Sequence, residues 1–410
     1  MLKLMQNWLA PKANPIGVDF GSDALRMAQV AVTNGEHRLI AAASCDVPSH
    51  VRHSGTARLA WFSEAARDLL SQGGFRGRQA VLSLPAASMF IQHLRMPRAD
   101  EETIRKTLSF EARGKLPVDP SHCLMRHVVA GDVFCDQEPR SEVIVMAAPR
   151  ELVNQFLDAA GRARLDVTGL NVEPVALIDC FSHLYRRKTD REAVTCYVDI
   201  GAVATRAVIA RGREILFARI IPIGGDHFTR AVATAAGVGF EQAKLLRIQG
   251  SAAMGREERR EAHGVEPPGP EQSFALLSAA VGASSPPSSG ERSLLEQACL
   301  EPLSRLIEEL NLCRRYHEAT FPNRPVEKLI FVGGEARQRW MCQQIARQMQ
   351  LAAQIGDPLM RMARVSEVGI ESGIDRRQPQ PAWVVALGLS MGPAAVATEP
   401  GERRERRGAA

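Results

Sequence analysis

The sequence predicts an α/β protein of two related lobes that face each other across a cleft, and two observations carry that reading. The first is an internal repeat: IGVDFGSDALRMAQVAVTNGEHRLIAAA at 16–43 is echoed by TCYVDIGAVATRAVIARGREILFARIIPIGG at 195–225. Each copy reads strand, Asp-apolar-Gly-small, strand, a Gly-containing turn followed by Glu, then a third strand, with turns at Asn34-Gly35-Glu36 and Arg211-Gly212-Arg213-Glu214. Asp19 aligns with Asp199, and Gly21 with Gly201. One Asp-Gly hairpin is ordinary turn chemistry, but two in matching register predict two lobes, each opening with a three-stranded meander. The second observation is VEKLIFVGGEARQRWMCQQIARQM, a strand that ends in Gly333-Gly334 and leads into a helix.

Composition fits this class and narrows the rest. A chain of 410 residues can bury more than one core. Its 45% hydrophobic and 24% charged residues are the balance of a water-soluble globular protein. The net charge of +5 is spread among interleaved acids and only 5% of residues are aromatic, so no nucleic acid partner is expected. The eight cysteines are scattered, with no CxxC and no His pair at ligand spacing, which predicts reduced core thiols in a reducing cytoplasm. No apolar run approaches ~18–20 residues, so no membrane span is expected. The opening MLKLMQNWLAPK has no signal-peptide core, yet it sets Leu2, Met5, Trp8 and Leu9 on one helical face. That face fits a membrane surface, a partner or the chain's own body.

The chemistry of such a cleft follows from its residue types. A turn with Gly at its apex lets backbone N–H groups approach a polyphosphate, because no Cβ stands in the way. A carboxylate at each strand mouth can hold a magnesium ion through water or orient an attacking water. Asp19 and Asp199 facing each other across a nucleotide would do both; two ligand-free Asx-type turns are the alternative. Glu173 precedes Pro174, which suits a first helical turn, so its carboxylate could polarise water or simply complement the helix dipole. IPIGGDHFTRAV carries Gly224-Gly225 and then Asp226, an expected N-cap. Glu241 and Lys244 share a helical face and could bracket a ribose and base, or form a surface ion pair. The helix after Gly333-Gly334 offers its N-terminus to an anion.

In this order the elements resemble the actin-like ATPase superfamily, and within it the PilM family of type IV pilus assembly proteins, relatives of the division protein FtsA. IGVDFGS, TIRKTLSFEARGKLP, NVEPVAL, YVDIGA, IPIGGDHFTRAV, FEQAKLL, FVGGEA and WVVALGLSM carry the resemblance over residues 14–392. It implies ATP with magnesium as cofactors, the metal held by Asp19 and Asp199. Asp19, Gly21 and Ser22 would form the first phosphate loop; Asp199, Gly201 and Thr205 the second. Glu173 would take the water-activating position with Asp199 as its catalytic companion. Glu241 and Lys244 would meet ribose and adenine, and Gly225, Gly333 and Gly334 would complete the nucleotide site. Three departures stand out: Asp23 and Ala24 follow Ser22, Val203 and Ala204 replace small hydroxyls, and Glu335 stands at a glycine position. Each removes a phosphate donor or adds negative charge, at a cost on the order of 1 kcal/mol or more for a partly buried carboxylate.

The resemblance also implies a division of the chain. Residues 1–43 and 151–190 form the first lobe, with 44–150 as an inserted α+β subdomain that docks the partner. Residues 191–227 and 326–392 form the core of the second lobe, and 228–325 its accessory subdomain. QAVLSLP, MFIQHLRMP and SEVIVMAAP read as strands of the insert, and helix 100–116 sets Ile104, Leu108, Ala112 and Leu116 on one stripe. These elements are expected to form a peptide groove against the first lobe. The Pro-, Gly- and Ser-rich stretch 250–293 and the tail 393–410 read as disordered. The function implied is a cytoplasmic ATP-binding scaffold, peripheral at the inner membrane, at most a slow ATPase. It would bind the short cytoplasmic N-terminal tail of a PilN-like membrane protein and join a PilN–PilO platform. A structural pseudo-ATPase without nucleotide and a small-molecule kinase of the same fold are the competing readings.

Overall fold

The structure, a computed structural model, describes residues 13–135, 138–185, 187–250, 289–364, 374–375 and 377–392. The first strands are β1 (Ile16–Phe20), β2 (Ala24–Thr33), β3 (Glu36–Asp46) and β4 (Gln79–Ser83). Next come β5 (Phe90–Pro97), β6 (Cys123–Cys135), β7 (Glu138–Pro149) and β8 (Asp166–Asn171). The second half supplies β9 (Val194–Ile200), β10 (Thr205–Arg211), β11 (Glu214–Ile221), β12 (Lys328–Val332), β13 (Ala352–Ile355) and β14 (Ala363–Arg364). Two sheets share one plan: β14-β3-β2-β1-β4-β8 and β11-β10-β9-β12-β13. In both, an antiparallel meander is followed by parallel strands on the other side of its first strand. The repeat is thus a repeat of topology. Every residue of β1 and of β9 is buried, as suits central strands covered on both faces.

Helices clothe these sheets. Those of the first lobe are α1 (Gly55–Gln72), α3 (Arg150–Arg162) and α4 (Glu173–Ser182), with α2 (Glu101–Glu111) in the insert. After the short α5 (Lys188–Glu192) come α6 (Gly225–Ala236), α7 (240–250), α8 (Ser289–Thr320), α9 (Arg339–Met349) and α10 (Val384–Met391). Gly224, not Asp226, is the N-cap of α6; its N–H donates to His227 Nδ1 at 3.2 Å. The chain's last helix returns to the first lobe: α10 packs on β1, β2, β4 and α4. That corrects the expected second-lobe core of 326–392, since β14 and α10 both belong to the first lobe. A close approach makes the crossing: a Cβ at Gly388 would strike the Ala176 carbonyl of α4.

The insert is smaller than 44–150. β4 pairs in parallel with β1 and α1 packs against α3, so 44–84 belongs to the first lobe. The separate sheet is β5-β7-β6, whose third strand β6 was not anticipated from the sequence. Asp100 caps α2 by accepting from the Thr103 N–H at 2.7 Å, and Ile104, Leu108, Ala112 and Leu116 are buried with Leu94, Val143 and Val145. Such side chains contribute roughly 1.5–3 kcal/mol each on burial. The amphipathic start at 1–12, most of the stretch 250–293 and the tail 393–410 lie outside the described residues; α8 begins at Ser289, inside the bounds expected for that stretch.

A buried polar cluster fastens the insert to the second lobe. Glu142 of β7 is fully buried; its Oε1 accepts from Tyr316 of α8 at 2.7 Å and lies 2.9 Å from His93 Nδ1. Arg95 Nε donates to Oε2 at 3.4 Å. Burial pushes the carboxyl up, but the bonds from His93 and Tyr316, with Arg95 beside them, more than offset this and hold it below its usual range. Glu142→Ala would strand three donors at once. It should cost ~3–5 kcal/mol of stability in urea unfolding, the scale for breaking a buried charged pair; a loss under ~0.5 kcal/mol would mean that the cluster does not fasten the two units.

Candidate functional site

The two meanders face each other across a cavity of about 370 Å³. Asp19, Gly21, Ser22, Glu173, Asp199, Gly201, Lys244, Gly333 and Gly334 line it. Three expected residues do not. Thr205 is fully buried with its hydroxyl donating to Ile223 O at 2.7 Å, so it closes the β10–β11 end and offers nothing to a ligand. Glu241 is exposed, one helical turn before Lys244. Gly225 lies behind the second loop, where its N–H donates to Gly201 O at 3.0 Å and a Cβ would run into the Glu335 carboxylate.

Arg206 sits at the centre. It stands on β10 directly across from Asp199 on β9. Its Nε donates to Asp199 Oδ2 at 2.8 Å, its Nη2 forms an ion pair with the same oxygen at 2.7 Å, and its Nη1 donates to Glu173 Oε2 at 2.9 Å. Arg26 holds the equivalent place in the first lobe, across from Asp19, and makes no ion pair among the described residues. Both arginines follow their aspartate at one spacing, DFGSDALR and DIGAVATR, a signal that was present in the repeat and went unread. The backbones match as well: a Cβ would meet Ala24 O at 3.1 Å from Gly21 and Ala204 O at 3.0 Å from Gly201. Gly333 has φ +87°, and a side chain there would run into Asp199 Oδ1.

Three buried carboxylates, Asp19, Glu173 and Asp199, surround one paired guanidinium, and they cannot all ionise cheaply. Burial pushes Glu173 up to about 8, against the pull of Arg206 and with Asp19 and Asp199 adding repulsion. Burial likewise lifts Asp19 to about 6, opposed by Arg26 and Arg206. Burial disfavours the Arg206 cation, yet Asp199 and Glu173 outweigh it and raise the group further above its ordinary value.

The two acids that seemed to burden a phosphate site are already balanced. Asp23 is bonded to Arg52 and accepts from Lys244 Nζ at 3.1 and 3.2 Å. Burial opposes its charge, but Arg52 and Lys244 hold its carboxyl below the usual range. Because Asp23 belongs to the first loop and Lys244 to α7, this contact crosses the cleft. Arg52 also reaches Asp226 of the second lobe at 3.9 Å. Glu335 is clamped by Arg247, Nη1 to Oε2 at 2.6 Å and Nη2 to Oε1 at 2.9 Å.

The magnesium ion expected between Asp19 and Asp199 does not fit this arrangement. Asp199 Oδ2 and Glu173 Oε2 are taken up by a guanidinium, and a second cation there would meet like charge. Among the described residues no three His, Cys, Asp or Glu side chains are grouped to hold a metal ion.

Comparison with known proteins bears on the whole chain. The family model described as type IV pilus assembly protein PilM matches residues 17–259, more than half of the sequence, and that of cell division protein FtsA matches 196–371. A solved PilM-PilN type IV pilus biogenesis complex contains a chain similar to this one at TM-score 0.69 and 20% identity, covering 93% of this chain and 99% of that one. The ethanolamine utilization protein EutJ from Carboxydothermus hydrogenoformans follows at TM-score 0.47 and 14% identity, covering 93% and 90%. The activator of the 2-hydroxyisocaproyl-CoA dehydratase from Clostridium difficile, with bound ADPNP, aligns at TM-score 0.41 and 12% identity, covering 92% and 93%. No curated protein matches the chain. The architecture is the actin-like fold expected from the sequence.

The crowding of acids has a consequence for stability. A carboxyl with a folded value near 8 and an unfolded value near 4.5 keeps its proton in the native state, so between those pH values stability falls as pH rises. Asp19 adds the same sign between about 3.8 and about 6. Glu173→Gln removes the larger contribution. Its melting temperature should gain on the parent between pH 5 and pH 8; parallel pH profiles for the two proteins would show that Glu173 is not held protonated.

Proposed function

The chain belongs to the family of the type IV pilus assembly protein PilM, and on that premise we propose that it is an assembly scaffold with two ligands. One is an ATP-type nucleotide in the cleft; the other is the cytoplasmic tail of a PilN-like inner-membrane protein. The cleft carries the first half of this reading. Two Gly-apex loops face each other across about 370 Å³, with Arg26, unpaired among the described residues, beside one and Gly333-Gly334 at the far wall. Asp19, Ser22, Gly201 and Lys244 would contact the nucleotide from both lobes. A ligand touching both lobes favours closure, so ATP would act by setting conformation.

Chemistry at this site would be slow. A general base has to be ionised near the working pH, and Glu173 is both bonded to Arg206 and pushed up to about 8. A kinase would need a free base in an acceptor pocket, whereas Glu173 and Asp199 are tied to Arg206, and Asp23 to Arg52 and Lys244. The Asp23–Lys244 contact, which closes the cleft with protein charges alone, favours the ligand-free pseudo-ATPase as a second reading.

The tail would bind elsewhere. A groove of about 870 Å³ runs between the insert and the second lobe, not the first, lined by Phe90–His93 of β5 and Phe217–Ile220 of β11. Both are edge strands of their sheets, and His93 Nε2 bridges them at 3.1 Å from Ala218 O. An extended peptide can add to such an edge through backbone hydrogen bonds, with Lys115 and Arg219 at hand for its acids or carbonyls. The partner would hold the scaffold at the inner membrane and link it to a PilN–PilO platform; no described helix is long and apolar enough to cross a membrane.

Calorimetric titration with ATP should show saturable binding that Arg26→Ala weakens by about tenfold or more, the scale of a charge-assisted phosphate contact. Fluorescence titration with a synthetic PilN-like tail should give binding that Ile91→Asp abolishes and Arg26→Ala spares. ATP should shift tail affinity by no more than the ~1–3 kcal/mol typical of coupled sites. Tail binding unaffected by Ile91→Asp would remove the groove assignment.

A further inference from the structure

The metal that the fold leads one to expect has no place beside Arg206, and that disagreement says what the residue does. We propose that Arg206 is the resident cation of the cleft: its guanidinium stands in for a divalent metal between Asp199 and the phosphates, so that a nucleoside polyphosphate binds without a metal ion. The inference rests on the nucleotide reading above and deepens it.

The geometry of the fork carries the argument. A guanidinium has five N–H donors; Arg206 donates Nε to Asp199 and Nη1 to Glu173, and its Nη2 forms an ion pair with Asp199. Donors remain on both terminal nitrogens without a hydrogen-bond partner among the described residues, on a side chain that lines the cavity. These contacts fix the fork so that the remaining donors are pre-oriented. A magnesium ion bridging Asp19 and Asp199 would sit beside that guanidinium and meet like charge, with Asp199 Oδ2 and Glu173 Oε2 already taken. Each arginine also lies against its own phosphate-type loop. Arg206 Nη2 is 3.6 Å from where a Cβ would stand on Gly201, and Arg26 Nη1 is 3.9 Å from the same point on Gly21. Two guanidinium groups therefore flank the space between the loops, one anchored and one without an ion pair among the described residues. Planar forks match phosphate oxygens two at a time, which is how a site can hold a polyphosphate by nitrogen donors alone.

The test is ATP affinity with magnesium and with excess EDTA, in the full chain. The wild-type protein should bind equally well in both, within about fivefold, whereas a metal-bridged site would lose far more without its ion. Arg206→Ala should bind metal-free ATP at least about tenfold more weakly than wild type and should recover part of this with magnesium, because Asp199 and Glu173 are then released. Loss of more than about fivefold in wild-type affinity on removing magnesium overturns the inference and leaves the nucleotide reading standing. An Arg206→Ala variant that binds metal-free ATP like wild type overturns it too. No ATP binding by wild type in either condition overturns the nucleotide reading and this inference together. Should Arg206→Ala fail to fold, the wild-type comparison decides alone.

Discussion

A single guanidinium shared by two buried carboxylates organises the middle of this molecule. Arg206 rises from β10 of the second lobe, binds Asp199 at the mouth of β9, and reaches Glu173 at the first turn of α4. Since α4 packs against α10 and thereby β1, the bonded fork ties the second sheet to the helices of the first. The isolated cost of burying such charges would be several kcal/mol each, and mutual pairing with good geometry is the condition under which they persist. It also bears on two of the acids around it: one cation cannot neutralise three carboxylates, so burial pushes Glu173 and Asp19 up. The chemistry of the cleft follows from that arithmetic more than from the acids themselves.

Much of this was legible in the sequence, and the pattern of what was not is physical. The repeat predicted two sheets of one plan because Asp-Gly turns and burial periodicity are local properties, set within about ten residues. The cleft-lining glycines and aspartates follow from the same local pattern. What failed was pairing at a distance. Asp23 and Glu335 look like charges placed against phosphate, yet their partners Arg52, Lys244 and Arg247 come from other elements, up to 221 residues away along the chain. Thr205 reads as a phosphate hydroxyl and serves instead as a strap to Ile223, a role fixed by the turn that brings β11 back. Arg26 and Arg206 are the reverse case: their repeat spacing is visible in DFGSDALR and DIGAVATR, but only strand register shows that each faces its aspartate.

The domain boundaries show the same limit. An apolar strand such as β4 carries no mark of which sheet it will join, and its parallel partner β1 lies beyond two further strands and a helix. Likewise α10 is buried at every residue but its last, so its composition announces a core helix without saying whose core. Chain order places it after the second lobe. Packing returns it to the first, where Gly388 meets the backbone of α4.

That architecture puts the two proposed ligand sites closer together than their sequence positions suggest. Asp199 on β9 is registered with Arg206 on β10, and Arg206 with Ile220 on β11, which lines the groove between insert and second lobe. Two strand spacings, roughly 10 Å, separate the cleft from the groove. On the cleft side, the Asp23–Lys244 contact offers a charge that an anionic ligand would compete for, and Arg52 near Asp226 is poised to follow it. On the groove side, His93 joins β5 to β11 and, through Glu142 and Tyr316, to α8. A ligand that alters the Arg206 fork therefore acts on a strand whose other neighbour is the peptide edge. A ligand at that edge acts on the strand that positions the fork. Whatever free energy passes between the sites must pass equally in both directions, and the hydrogen-bonded register of β9, β10 and β11 is the shortest structural route between them.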